Sequence, residues 1–583
     1  MLPSDYRVLG GDAVAQVAML ANVRYWSGTD YFATSSDFRP LLHTWSLAVE
    51  EQFYVIFPFL LVGVHRVGRR ALPWAMFALM ATSFVASLVA IGRWPGAAFY
   101  LLPFRAWELL LGGVLAVLPP PAFLRRVSGD VLAVLGLAMI FWCCIDYSRS
   151  TPFPGIAAAA PALGAALAIL GCGLPGSLVA SALGSVSLRS IGLMSYSLYL
   201  WHWPILAFAR YRYGLELPLP IAAGALVAAF VVAALSYRWI ETPFRAGLRG
   251  WGSMRVAFAA VAASLLPLAA AAVIWRLDGF PSRVDPEVVK FSSGQSMPRS
   301  WDLDSVGLER LFLPIGAPLD ELGVPCFILL GDSHGTAVSS AFDRAAADRG
   351  LSGKASLRGA FLPLPGLWRP GARNPEADRQ AHIEFDASLA RELSSHTYKH
   401  LILCARWSGY LGDGRTDVGD CFRVARLSET ATSIDGARVA MAEGIRRLLE
   451  ITEPAGTEIW LLLEVPVQDV GPHRRSIDAM HTGALSLDGS TRVDHGARVS
   501  SVASVMEAFT SPRLHVVDLS EPFFDSRGVS LVGRPGLSWY FDDDHVSAAG
   551  ADEALGSVIS GIFDRIARAC APGAQAPTSA PAP

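Results

Sequence analysis

The chain is almost without lysine: of 48 basic residues, only Lys290, Lys354 and Lys399 are not arginine. A bias this strong reflects nucleotide composition rather than function. Charge as a whole is sparse, at 17% of residues with a net of −3, which offers no footprint for nucleic acid or other polyanions. Cysteine is scarce as well. The seven are scattered without a CxxC pair or a metal-ligand spacing, so no metal site is expected. Cys143, Cys144 and Cys172 fall in apolar runs and are expected to be buried thiols. The opening MLPSDYRVLG has neither the basic nor the apolar region of a signal peptide.

Long apolar runs are what the sequence has instead. Mean hydropathy is +0.38 over 583 residues, too apolar for a purely soluble protein and long enough for more than one domain. A spanning helix needs roughly 20 apolar residues, and eight segments qualify or nearly do: 46–65, 72–92, 99–119, 129–147, 156–173, 190–209, 217–238 and 255–275. The fifth is short and alanine-rich. With the first helix running outside to inside, the inner loops hold ten arginines: 66, 69, 70, 125, 126, 189, 238, 245, 249 and 255. The outer loops hold four, Arg93, Arg149, Arg210 and Arg212. The positive-inside rule therefore puts everything after residue 277 outside.

Ionisable groups in spanning helices are costly and face a cavity or a partner. In LLHTWSLAVEEQFYVIFPFLL, His43, Glu50 and Tyr54 share a helical face, and Glu51 lies about 100° round from Glu50. His43 and Glu50 read as substrate-lining. Glu51 and Arg105 could line a site or serve packing. Arg105 and Glu108, three apart in FRAWELLLGG, can pair across a turn. His202, between tryptophans in YLWHWPI, reads as an interfacial anchor or a lining residue, and Glu241 as a group at the inner surface.

The four stretches HTWSLAVEEQFYVIFPFLL, YLLPFRAWELLLGG, SYSLYLWHWPI and SYRWIETPFR resemble, in order, motifs of the integral-membrane acyltransferase-3 family. That resemblance covers residues 1–277. It implies a polytopic α-helical bundle that moves acyl groups, often acetyl, from a cytoplasmic acyl-CoA donor to an envelope glycan. Family members have about three further N-terminal helices carrying an essential histidine and an arginine motif, and LPSDYR resembles the loop that follows them. His43 is not that histidine. The expectation is an internal start or a truncated gene, in which this half does not work by the family's route.

After residue 277 charged residues return and short β-like runs alternate with helical ones. PCFILLGDSHGTAVSSAF (325–342) reads as strand, tight turn and helix, which presents Ser333 at the carboxyl edge of a parallel sheet. WYFDDDHVSAAG (539–550) places Asp542 three residues before His545, so the carboxylate can orient the imidazole. Ser333, His545 and Asp542 then read as nucleophile, base and orienter. Asp543 and Asp544 are expected to be solvated, with one of them substituting if the turn differs. Runs 400–407, 458–467 and 513–520 read as buried strands of the same sheet.

An early GDSH with a late DxxH is similar to the SGNH hydrolase family, which implies an α/β three-layer, flavodoxin-like domain over residues 323–570. A linker (278–322) precedes it and a disordered Pro/Ala tail (571–583) follows. Where that family has an asparagine turn, this chain has Ala405-Arg406-Trp407. Arg406 could serve an oxyanion or an acidic glycan, or be structural against Trp407, and Gly359 is the other candidate donor. The membrane-fused relatives often have a cysteine near there; Phe361 and Leu362 stand instead, so no local disulfide is expected. Together the resemblances imply an inner-membrane O-acyltransferase, with the lipid bilayer, an envelope glycan such as lipopolysaccharide O-antigen, and a cytoplasmic donor as partners. A membrane-tethered esterase and an inactive relic are the alternatives.

Overall fold

In a computed structural model the chain forms two compact units, Met1–Pro281 and Ser282–Pro583. The residues described are 1–28, 36–67, 72–117, 127–148, 151–247, 251–293, 311–318, 325–371, 375–396, 398–412, 423–430 and 433–570. Arg69, Arg70, Arg125, Arg126, Arg149 and Arg249 of the orientation argument, much of the linker, and the tail lie outside them.

In the first unit, seven helices among the described residues are long and apolar enough to cross a membrane: Leu42–Arg66, Leu72–Arg93, Pro95–Val117, Gly129–Asp146, Gly155–Cys172, Leu219–Gly247 and Met254–Arg276. Their surfaces expose large apolar side chains. Phe59, Leu219, Phe258 and Leu266 are each at least three-quarters exposed, a pattern that suits lipid rather than water. The expected eighth span, 190–209, differs: the helices Val186–Leu193 and Ser195–Tyr213 abut at Met194. The second contains His202, Arg210 and Arg212, and Arg210 pairs with Asp37 at 3.0 Å, so this element is less apolar than the other seven. The alanine-rich fifth segment packs tightly against Gly129–Asp146. A Cβ on Gly136 would lie 2.3 Å from the carbonyl oxygen of Gly164, so small residues set this approach. Of the three thiols expected inside, Cys143 is buried, but Cys144 is exposed and Cys172 half-buried, because the apolar runs turn one face outward.

The second unit is built on a six-stranded sheet. Its strands are β1 (Leu313–Gly316), β2 (Phe327–Gly331), β3 (Ser352–Leu357), β4 (His400–Cys404), β5 (Glu458–Leu463) and β6 (Leu514–Asp518). The order across the sheet is β1-β3-β2-β4-β5-β6, antiparallel only at β1. Every residue of β2 and β4 is buried, as their unbroken apolar runs require of central strands covered on both faces. One core, including Phe327, Leu329, Phe342 and Phe563, lies under the helices Ser333–Ala347 and Gly556–Cys570; the other, including Leu330, Leu403, Phe385 and Met441, lies on the opposite face. Cys326, just before β2, is disulfide-bonded to Cys570 at the end of the last helix. The cysteine spacing had not pointed to this pair, since a separation of 244 residues carries no local signature.

Candidate active site

The strand–turn–helix begins at Gly331. A Cβ there would sit 2.4 Å from the Cys404 carbonyl oxygen, and one on Gly335 would sit 2.9 Å from the Leu357 side chain. Only glycine lets the helix Ser333–Ala347 start this close to the ends of β3 and β4. Asp332 is its N-cap: one carboxylate oxygen accepts the His334 N–H at 2.8 Å. The other accepts the Arg406 N–H at 2.9 Å and the Tyr410 hydroxyl at 3.0 Å. Ser333 is thereby held as the first helical residue, over the positive end of the helix dipole.

His545 reaches it from the loop before the helix Ala548–Glu553. Nε2 is 2.7 Å from the Ser333 hydroxyl, and Nδ1 is 2.8 Å from an Asp542 oxygen. Asp542 also accepts the backbone N–H groups of Asp544 and His545, so the turn itself aims the carboxylate. The three residues singled out in the sequence are brought together.

Asp544 corrects the reading of the acidic run. It is not solvated but 6% exposed, with Oδ1 2.7 Å from Nδ1 of His545 and Oδ2 2.7 Å from Nη1 of Arg406. The chain turns it inward because a cation is waiting there. Arg406 pairs with this carboxylate, a partner that neither sequence alternative included. Burial alone would depress the His545 imidazole, but Asp544 and Asp542 raise it well above its usual value. Conversely, burial opposes ionisation of Asp544, yet His545 and His334 hold its carboxyl well below the ordinary range. His334, given no role in the sequence, packs tilted against His545 with ring centres 4.4 Å apart. Glu464, just after β5, is buried and its carboxyl is pushed up by that burial; it accepts the Ser408 N–H at 3.3 Å. Apart from the histidine next to Ser333, nothing local marked these groups.

Gly359 follows β3 in the turn at the same sheet edge, since Arg358 donates its N–H to Gly331 at 3.0 Å. Beside that edge opens a cavity of about 300 Å³, lined in part by Ser356, Arg358, Phe361, Glu384, Ser388 and Arg391. His334, Asp544 and His545 bring three ligand-type atoms within 4.8 Å. The Arg406 guanidinium on Asp544 and the hydrogen bonds of His545 compete with a cation for two of these three groups.

In the first unit, His43 sits in a short turn, Leu42–Thr44, before the helix Trp45–Val67. It is buried against Tyr199 and His202, at centroid distances of 5.3 and 5.7 Å. The His202 Nδ1–H donates to the Tyr199 carbonyl at 2.7 Å, and its ring packs edge-on against His43. Glu50 instead accepts the Tyr54 hydroxyl, and Glu51 is exposed. Arg105 and Glu108 pair at 3.1 Å, with the guanidinium among the rings of Trp45, Phe99 and Phe153. Glu241 accepts the Ser197 hydroxyl at 2.7 Å and pairs with Arg245.

Comparison with known proteins gives two family matches. Residues 13–238 match an acyltransferase domain, and residues 309–557 match the SGNH domain that occurs fused to it. The O-acetyltransferase OatA of Staphylococcus aureus (strain NCTC 8325 / PS 47) is 32% identical over 258 residues, 40% of this chain and 41% of its own. The peptidoglycan O-acetyltransferase OatA of Listeria monocytogenes is 33% identical over 263 residues, 42% of this chain and 41% of its own. The alignments thus span about two-fifths of these relatives' length. The periplasmic domain of a lipopolysaccharide acetyltransferase from Salmonella ser. Paratyphi A aligns with 40% of this chain and 84% of its own, at 13% identity and a TM-score of 0.30, a likeness too slight to argue from. Residues 13–238 and 309–557 thus carry, in this order, an acyltransferase domain and an SGNH domain of the kind found fused to such domains.

Proposed function

We propose that the chain is a membrane O-acyltransferase that places a short acyl group, acetyl above all, on a hydroxyl of a bacterial cell-envelope glycan. The observation that carries this reading is the unbroken chain from the Ser333 hydroxyl to the His545 imidazole to Asp542, at 2.7 and 2.8 Å, on a strand–turn–helix. The relatives named as O-acetyltransferases support the class of acyl group and acceptor.

In this reading Ser333 Oγ attacks the acyl carbonyl while Nε2 of His545 takes the hydroxyl proton. Asp542 holds Nδ1–H and stabilises the imidazolium. The adduct collapses, its leaving group departs with the proton from Nε2, and an acyl-serine remains. A glycan hydroxyl then attacks that ester, again losing its proton to Nε2, and Ser333 leaves with the proton. The helix N-terminus and Gly359 serve the oxyanion. Arg406 acts through Asp544. The cavity beside Gly331, with its mixed polar and aromatic lining, suits a saccharide unit.

A cytoplasmic acyl-CoA would supply the acyl group through the bilayer-embedded unit, with His43, Glu50, Arg105, Glu108 and His202 lining its route. The SGNH domain belongs outside the inner membrane in this scheme, and the Cys326–Cys570 disulfide is consistent with an oxidising compartment.

The test is the full chain carrying Ser333→Ala, expressed in cells without the wild-type copy. Alkali-labile acetyl on envelope glycans should fall to the level of the deletion, and an unchanged level sinks the proposal. Ester turnover by the purified full chain that is indifferent to added glycan would instead favour an esterase.

A further inference from the structure

Two carboxylates crowd one imidazole nitrogen, Asp542 by a hydrogen bond and Asp544 by an ionic contact. Asp542 Oδ2 lies 2.8 Å and Asp544 Oδ1 2.7 Å from Nδ1 of His545. A single N–H needs one acceptor, and adjacent anions repel, so the second carboxylate requires a cause. Its other oxygen is 2.7 Å from Nη1 of Arg406 and 3.8 Å from Nε2 of His334. Arg406 comes from the end of β4, where Asp332, the cap of the Ser333 helix, fixes its backbone N–H. The strand beside the Ser333 strand thus sets a guanidinium against Asp544, whose carboxyl His545 and His334 hold ionised next to Asp542. The Asp542 side chain is 36% exposed and is screened by water; that of Asp544, at 9%, is enclosed by His545, His334 and Arg406.

We infer that Asp544, locked by Arg406, is a second positioning carboxylate for His545, sharing Nδ1–H with Asp542 so that the ring keeps its aim at Ser333 when one acid is lost. The inference rests on the Ser333–His545–Asp542 reading. The groups facing His545 are Asp542 and Asp544 from its own loop, and Ser333 and His334 from the helix; Arg406 lies behind Asp544, and Glu464, just after β5, feels the charges of His334 and Arg406. Both nearby anions stabilise the imidazolium. Removing either one makes His545 easier to deprotonate, so the acid limb of the rate profile moves to lower pH.

The experiment measures kcat/KM of the purified full chain with p-nitrophenyl acetate across pH, for Asp542→Asn, Asp544→Asn and the double variant. Losing the only orienting carboxylate of such a triad costs about 10⁴-fold. The double variant should show a loss of that order, and each single variant roughly 10²-fold or less, with its acid limb at lower pH. A double variant no worse than Asp542→Asn, or an unmoved limb in Asp544→Asn, overturns the inference. Because Asp544→Asn strands a buried arginine, Asp544→Asn/Arg406→Gln removes both charges. It should show the same limb displacement, and a wild-type limb there also overturns the inference. Turnover surviving Ser333→Ala or His545→Ala would overturn the triad reading instead, so the two failures are distinguishable.

Discussion

Asp332 illustrates how much one buried carboxylate can organise. It caps the Ser333 helix through one oxygen and ties down Arg406 and Tyr410 through the other. Asp332→Ala leaves buried donors unpaired and should cost about 1–3 kcal/mol of stability, read as a lower melting temperature of the purified full chain. Glu464 gives a signed pH effect. Its folded carboxyl is raised by burial, so the folded state keeps a proton that the unfolded state releases. Its contribution to stability falls as pH rises from the usual carboxyl range, about 4.3, through the folded value. Relative to wild type, Glu464→Gln should therefore gain stability as pH rises over that window; parallel melting curves from acid to neutral pH would refute this. Residue identity made Ser333, Asp542 and His545 legible, because DxxH and GDSH are local patterns. It did not reveal Asp544, whose burial depends on an arginine distant in the chain.

The strand–turn–helix works as one element because Gly331 and Gly335 allow it to press against Cys404 and Leu357. Gly331→Ala should push the turn away from β4, costing about 1–3 kcal/mol through overpacking and lowering ester turnover with it. Paired thermal melts and activity assays check this, and a fully stable but inactive variant would show that positioning alone is affected. Elements with continuous apolar runs were legible from sequence, among them β2, β4 and seven of the eight expected spans. The helix Ser195–Tyr213 was legible as a helix, but His202, Arg210 and Arg212 leave it less apolar than the other seven. The small residues that join Gly129–Asp146 to Gly155–Cys172 explain why the alanine-rich segment still packs as a helix.

On the scale of the whole chain, the division between a lipid-suited bundle and an α/β domain follows from composition, since charged residues return where the first unit ends. The disulfide does not follow from it. Cys326→Ser should lower the stability of the second unit by about 2–5 kcal/mol, measurable as a reduced melting temperature that reductant no longer changes. The bond also imposes an order on biogenesis. Cys326 opens β2, but its mate ends the last helix, so the native pair cannot form until nearly the entire domain has been synthesised. A chain cut short before residue 570 could not make this link, and its β2 would begin beside a cysteine that lacks its native mate.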